Sequence, residues 1–194
     1  MSNGLRSLLH PESVAVVGAS PHEGKVGNII TKQLFRSNCR VYPVNARGDL
    51  VCGVQSFKTI ADLPETPDLG VIALPAEATV AAVRECVARG VGAVIAVAGG
   101  FGEAGATGRA LERELKAAIQ GSRTRLLGPN TLGVLIPRDG LDTIFIPPDR
   151  LRRPAVGSIA LISQSGSAVL GELDVAAFYG VAVSTFVGLG NRLD

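Results

Sequence analysis

The stretch Val14–Asn28, VAVVGASPHEGKVGN, decides the fold. Ser13–Gly18 is a short β-branched run ending in glycine, which reads as a strand. Gly24 and Gly27 then bracket Lys25, and Gly27–Ser37 (GNIITKQLFRS) sets Ile30, Leu34 and Phe35 at helical spacing. A strand, a glycine loop and a helix start present free backbone N–H groups and the positive end of a helix, which together suit a phosphate. The spacing is not the dinucleotide fingerprint G-x-G-x-x-G. Nor is it a Walker A loop, because Val26 follows Lys25 where Ser or Thr is needed. An ordinary strand–helix turn with an N-cap uses the same residues, so the loop alone does not settle the matter.

Moving outward, strand and helix signals alternate. Cys39–Asn45 (CRVYPVN) reads as a strand that its Pro43 brings to an end. Leu69–Pro75 and Val91–Gly100 read as further strands. Between them, Ala76–Gly90 puts Val80, Val83 and Val87 on one helical face, with Gly90 as C-cap. Thr107–Gly121 is an amphipathic helix through Leu111, Leu115 and Ile119, and Thr124–Asn130 is a fifth strand. This alternation predicts an α/β fold with a doubly wound parallel sheet, whose ligands sit beyond the carboxyl ends of the strands. The Gly/Pro punctuation falls at those ends: GASPHEGKVG, PVNARG, LPAE, AGGFGE and GPNTLG. After Pro137 the helical period disappears, and a second unit starts with SIALISQSG, a helix over Ser167–Gly180, and a strand and glycine turn over Val181–Asn191. We divide the chain into residues 1–145, a connector over 146–157, and a unit over 158–194. Two strands and a helix bury no core alone, so the last unit docks on the first or belongs to a longer protein; the second explanation is the one we expect.

Composition narrows the function classes. Of 194 residues, 46% are hydrophobic but only 4% aromatic, which suits a core of Val, Ile, Leu and Ala. A net charge of +2 gives no ground for nucleic-acid or acidic-membrane binding. No apolar run reaches the ~18 residues of a membrane span, and the opening MSNGLRSLLHPES lacks the apolar core of a leader. Cys39, Cys52 and Cys86 form no C-x-x-C pair and read as reduced thiols of a cytoplasmic protein.

The remaining motifs carry chemistry only in combination. An NAD site wants an acid after the second strand; here the residues are Asn45 and Arg47, which favour an extra phosphate, as in NADP or coenzyme A. Arg47 alone is equally a solvated loop cation. Asn130 in GPN can face a ligand or satisfy its own turn. SQSGS opens a helix and offers hydroxyls and N–H groups to an anion, or simply an N-cap. A serine hydrolase is excluded by the missing first glycine of G-x-S-x-G and by the lack of a following His. His10 and His22 have no metal or triad partners and read as solvated.

Taken in order, LLHPESVAVVGAS…GKVGN, VYPVN, DLGVIALPAE, AGGFGE, LLGPNTLGV, GSIALISQSG and FVGLGN resemble the NDP-forming (ADP-forming) acyl-CoA synthetases, relatives of the succinyl-CoA synthetase alpha subunit. The resemblance covers nearly the whole chain. It implies a Rossmann-like CoA-binding domain followed by an incomplete flavodoxin-like unit. It further implies CoA contacts at Ser20, Gly24, Lys25, Val26, Arg47, Pro75, Ala98, Gly99 and Gly100, with Asn130 near the thiol end. Ser163, Ser165 and Gly190 would stabilise a phosphohistidine. The family's phosphorylated His lies beyond Asp194, and no catalytic residue carries over to this chain. The ATP-grasp portion, with ATP/ADP and Mg, is likewise outside it. The implied whole is an acid–thiol ligase, nucleotide-binding and cytoplasmic, with CoA and a small carboxylic acid as substrates. Its partners would be the downstream domains or an ATP-grasp subunit, and a homo-oligomer is allowed. A CoA-binding regulatory module of a protein acetyltransferase and an NADP oxidoreductase domain are the alternatives.

Overall fold

The computed structural model describes residues 3–194; Met1 and Ser2, the start of the stretch read for a leader, lie outside the described residues. In chain order come α1 (Asn3–Leu9), β1 (Ser13–Val17), α2 (Val26–Leu34) and β2 (Arg40–Val44). A short hairpin, β3 (Leu50–Val51) and β4 (Val54–Gln55), precedes β5 (Leu69–Ile72), α3 (Ala76–Arg89), β6 (Ala93–Ala96), α4 (Ala106–Ile119) and β7 (Arg125–Leu127). Strands β2-β1-β5-β6-β7 form one sheet in that order, with every pairing parallel. The order reverses between β1 and β5, which opens a crevice at their carboxyl ends.

The β-branched runs are continuous rather than alternating because both sheet faces are covered. Val14 and Val16 pack on one side with Leu8, Ile30 and Leu34; Ala15 and Val17 pack on the other with Val80, Val83 and Leu115. Helix α3 ends as its sequence predicts, with Gly90 in the left-handed conformation. Strand β2 differs from its reading. It runs through Pro43, which pairs with Val16, and ends only at Val44. As an edge strand it tolerates the missing N–H, while the Pro43 carbonyl still accepts from Phe57 N–H at 2.9 Å.

The second half holds β8 (Val134–Ile136), β9 (Leu141–Asp142), β10 (Val156–Ser163), α5 (Gly166–Phe178) and β11 (Val183–Gly188), with sheet order β10-β11-β8-β9. Strands β10 and β11 are parallel, but β11 pairs antiparallel with β8, and β8 with β9. The sheets therefore do not divide at residue 145: residues 134–142 belong with the later strands. The last unit is docked, and Leu135, Ile144, Leu173 and Phe186 share a buried cluster.

Between β9 and β10 the chain has no regular element and is held by two ion pairs, the exposed Arg152–Asp174 and the buried Arg153–Asp142. Arg153 Nε lies 2.8 Å from Asp142 Oδ2, with the two side chains only 14% and 12% exposed. The guanidinium also donates to the carbonyls of Leu151 at 2.6 Å and Ile146 at 2.7 Å. Burial pushes the Asp142 carboxyl above its usual range, against the opposing pull of Arg153 and of the Ile144 N–H. Its charged form is tolerated rather than favoured, so its contribution to stability is greatest at low pH and declines as pH rises through the folded value. Removing the arginine strands the carboxylate. Arg153→Met is expected to cost about 3 kcal/mol, a fall in Tm of roughly 6–12 °C. The loss should be larger at pH 8 than at pH 5, and Asp142→Asn in the same chain should recover part of it. Thermal unfolding at the two pH values checks this.

Candidate functional site

The loops that end β1, β2, β5, β6 and β7 all open on the crevice side of the sheet, and the first is shaped by a close approach. A Cβ on Gly27, in the first turn of α2, would sit 2.0 Å from the Gly18 carbonyl oxygen. Only glycine lets the helix start there. The intervening loop is tied down from behind: Asn28 Nδ2 donates to the Ser20 carbonyl at 2.8 Å, and Asn45 Nδ2 to the Ala19 carbonyl at 2.8 Å. Gly18 and Ala19 N–H groups donate to the Val44 carbonyl at 3.0 and 3.1 Å. Gly24 faces outward with φ +78°, and nothing lies within 4 Å of where its Cβ would be. Lys25 takes the N-cap position of α2, but its side chain caps nothing. The first N–H groups of the helix are thus left for solvent or a ligand, with Lys25 and Val26 exposed beside them.

The other predicted residues fall around this loop. Asn45 does not stand in for a ribose-binding acid. Its amide nitrogen holds Ala19, and its oxygen accepts the Arg47 N–H at 2.9 Å. Arg47 is exposed and paired through Nε with Asp49 Oδ2 at 3.0 Å, so the loop cation already has a carboxylate partner. Pro75 is the exposed N-cap of α3. Ala98, Gly99 and Gly100 follow β6, but the Gly100 N–H is already accepted by Glu103 Oε1 at 2.6 Å. Ser20 Oγ accepts the His22 N–H at 3.2 Å, which draws His22 into the loop, its ring exposed. His10 is not a solvated orphan, for its Nδ1 lies 3.0 Å from Asp139 Oδ2.

Asn130, Ser163, Ser165 and Gly190 come together at the far end of the sheet. Asn130 adopts φ +58°. A Cβ on Gly190 would meet the Pro129 carbonyl at 2.2 Å, so the two turns are pressed face to face. Ser165 caps α5, accepting the Ala168 N–H at 3.4 Å, and Ser163 Oγ accepts the Ser165 N–H at 3.2 Å. Asn130 and Gly190 border a cleft of about 400 Å³ between the Asn130 turn and the start of α5, and with Ser163 and Ser165 they line a much smaller pocket beside it. The glycine loop borders a separate cleft of about 690 Å³ along α2 and Pro147–Arg150. A larger cavity, about 740 Å³, lies instead at the amino ends of the strands, between Ser7, Asp68 and Thr124, and holds none of the predicted site residues. Its walls include the Gly90–Gly92 turn at the end of α3 but no start of a long helix, so size alone does not mark the site. Among the described residues no group of three His, Cys, Asp or Glu side chains is placed to hold a metal, and no helix is long and apolar enough to cross a membrane.

The two loop glycines make opposite demands. Gly27→Ala should lower Tm sharply, because a methyl cannot share space with the Gly18 carbonyl. Gly24→Ala meets no atom and bears only a left-handed backbone, about 1–2 kcal/mol. Circular-dichroism melts of the two variants separate these costs, and equal melts would contradict the packing described.

Comparison with known proteins agrees with this architecture. The CoA binding domain family matches residues 12–137. The ADP-forming acetate–CoA ligase I of Archaeoglobus fulgidus is 38% identical over 97% of this chain and 27% of that protein. The alpha subunit of the ADP-forming acetate–CoA ligase I of Pyrococcus furiosus is 34% identical over 98% of this chain and 42% of that subunit. Among solved structures, the dinucleotide forming acetyl-coenzyme A synthetase 1 of Ca. Korarchaeum cryptofilum, in complex with phosphate and ADP, superposes with a TM-score of 0.88. It is 31% identical over 99% of this chain and 40% of that one. The chain therefore spans well under half the length of these relatives. With its parallel sheet, its seated glycine loop and a family match over most of its length, the chain belongs to the CoA binding domain family.

Proposed function

We propose that this chain is the CoA-binding portion of an NDP-forming acyl-CoA synthetase, the whole of which joins a small carboxylic acid to CoA with ATP, releasing ADP and phosphate by way of a phosphohistidine. The observation that carries the reading is the uncapped start of α2 under the open space at Gly24, on a chain of the CoA binding domain family. The ligase activity rests on the names of the relatives, which are acid–thiol ligases; none of those named is an oxidoreductase or an acetyltransferase. ATP and nucleotide binding, and the ATP-grasp portion with its Mg, belong to the proposed whole. So do the cytoplasmic location, the downstream partner and any homo-oligomer.

Bound CoA supplies a thiol to accept the acyl group. The protein's part is to hold and aim it. Ser20, Gly24, Lys25 and Val26 receive the diphosphate, whose charge the N–H groups and dipole of α2 offset without reorganising. Arg47, released from Asp49, takes the ribose phosphate. Pro75 and the Ala98–Gly100 turn line the path toward Asn130. Ser163, Ser165 and Gly190 form the anion-binding turn that faces the phosphorylated group in the complete enzyme, replacing its water shell with hydroxyls and N–H groups.

Calorimetric titration of the 194-residue chain tests the reading. CoA should bind, and dephospho-CoA should bind roughly ten-fold more weakly for want of one charge-assisted contact. Arg47→Ala should weaken CoA by the same factor and leave dephospho-CoA unchanged. Gly24→Asp, which puts a carboxylate beside the diphosphate, should abolish binding while the fold persists. Full affinity in Gly24→Asp would remove the loop from the site.

A further inference from the structure

Three side chains so far without a role meet where the loop after β6, the Gly128–Asn130 turn and the Gly188–Asn191 turn converge. Glu103 Oε1 accepts the N–H groups of Gly100 at 2.6 Å and Phe101 at 3.2 Å, and its Oε2 accepts from Asn191 Nδ2 at 2.6 Å. Glu112 Oε2 accepts the Gly102 N–H at 3.0 Å and the same Asn191 Nδ2 at 3.0 Å. Asn191 Oδ1 in turn accepts from Asn130 Nδ2 at 3.4 Å.

Carboxylates only accept, so two of them facing one amide leave that amide a single orientation. Burial works against the charge of Glu103, but the hydrogen bonds from Asn191 and from the backbone of Glu103, Gly100 and Phe101 outweigh it and hold the carboxyl below its usual range. The Asn191 nitrogen must therefore point at Glu103 and Glu112, and its oxygen at Asn130. That fixes the second amide as well. The Asn130 nitrogen turns to Asn191, and its oxygen turns to Gly99, where a Cβ would lie 3.1 Å away. The result is a hydrogen-bond acceptor displayed at the end of the sheet remote from the glycine loop. Strands β5 and β6 lie between β1 and β7, and three strand spacings make roughly 14 Å. A ligand anchored by phosphates at α2 reaches Asn130 only with a long arm, and the pantetheine arm of CoA carries amide N–H groups and a terminal thiol, all donors.

We propose that Glu103, Glu112 and Asn191 are positioning residues that lock the Asn130 amide with its oxygen toward the donors of the pantetheine arm. The inference rests on the CoA reading. The main chain holds the turns independently, with the Asn191 N–H on the Pro129 carbonyl at 2.9 Å and the Asn130 N–H on the Ala98 carbonyl at 2.8 Å. A side-chain change can therefore turn the amide while the loops stay.

The test titrates the full chain with CoA and with adenosine 3′,5′-bisphosphate, which lacks the arm. Asn191→Asp replaces the donor with a carboxylate facing two others. CoA affinity should fall about ten-fold, the worth of one such hydrogen bond, and bisphosphate affinity should not change. Asn130→Ala should show the same split, and the double variant should lose no more than either single one. Should Asn191→Asp fail to fold, Glu112→Gln must show the split in weaker form. Unchanged CoA affinity, equal losses for both ligands, or additive losses would overturn the relay. Wild-type chain that binds the bisphosphate as tightly as CoA would overturn it too, leaving the nucleotide site standing. Binding of neither ligand would overturn the CoA reading and this inference together.

Discussion

The contact on which the rest depends is the seat of α2 on the end of β1, where a hydrogen on Gly27 takes the place of a methyl that would lie 2.0 Å from the Gly18 carbonyl. Backbone touching backbone sets the helix close and aims its amino end into the crevice where the sheet order reverses. Packing on both sheet faces then follows, with Ile30 and Leu34 of α2 covering Val14 and Val16. The loop between the two glycines has little freedom left. Asn28 and Asn45 hold its carbonyls, and Gly24 faces open space.

A second constraint joins the two sheets. The Gly190 turn lies against Pro129 and Asn130, and beyond it Arg125 Nε meets Asp194 Oδ2 at 2.7 Å. At the other side, β8 leaves the first half of the chain to pair with β11, and β9 pairs on β8. The turn that opens α5 and the far end of the crevice are thereby parts of one surface. In the proposed synthetase, an acyl group and a phosphate would be handled at neighbouring points of that surface.

The main architecture was legible because it is local. Buried parallel strands are apolar throughout, amphipathic α3 and α4 carry their own period, and Gly90 marks the end of α3. What escaped was non-local. Strands β8 and β9 are three and two residues long; β8 is set by pairing with β11, about fifty residues away, and β9 by pairing on β8. Helix α1, seven residues with two of them buried, has too little period to read. Pro43 reads as a strand end unless β2 is known to be an edge. In the site, residue types were legible but partners were not. Asn45 reads as a missing acid, while its amide holds Ala19. Arg47 reads as a free cation, while Asp49 two residues on already engages it. Glu103 and Asn191 both stand inside the motifs AGGFGE and GLGN, yet only the fold brings these 88 residues' separation to 2.6 Å.

The measurement that bears most directly on the account is the set of backbone amide shifts in a two-dimensional NMR spectrum of the labelled chain during CoA titration. The account predicts the largest perturbations at Gly24–Asn28, with a second group at Gly99–Gly100 and Asn130. Perturbations confined to the large cavity at the amino ends of the strands, around Ser7, Asp68 and Thr124, would contradict it.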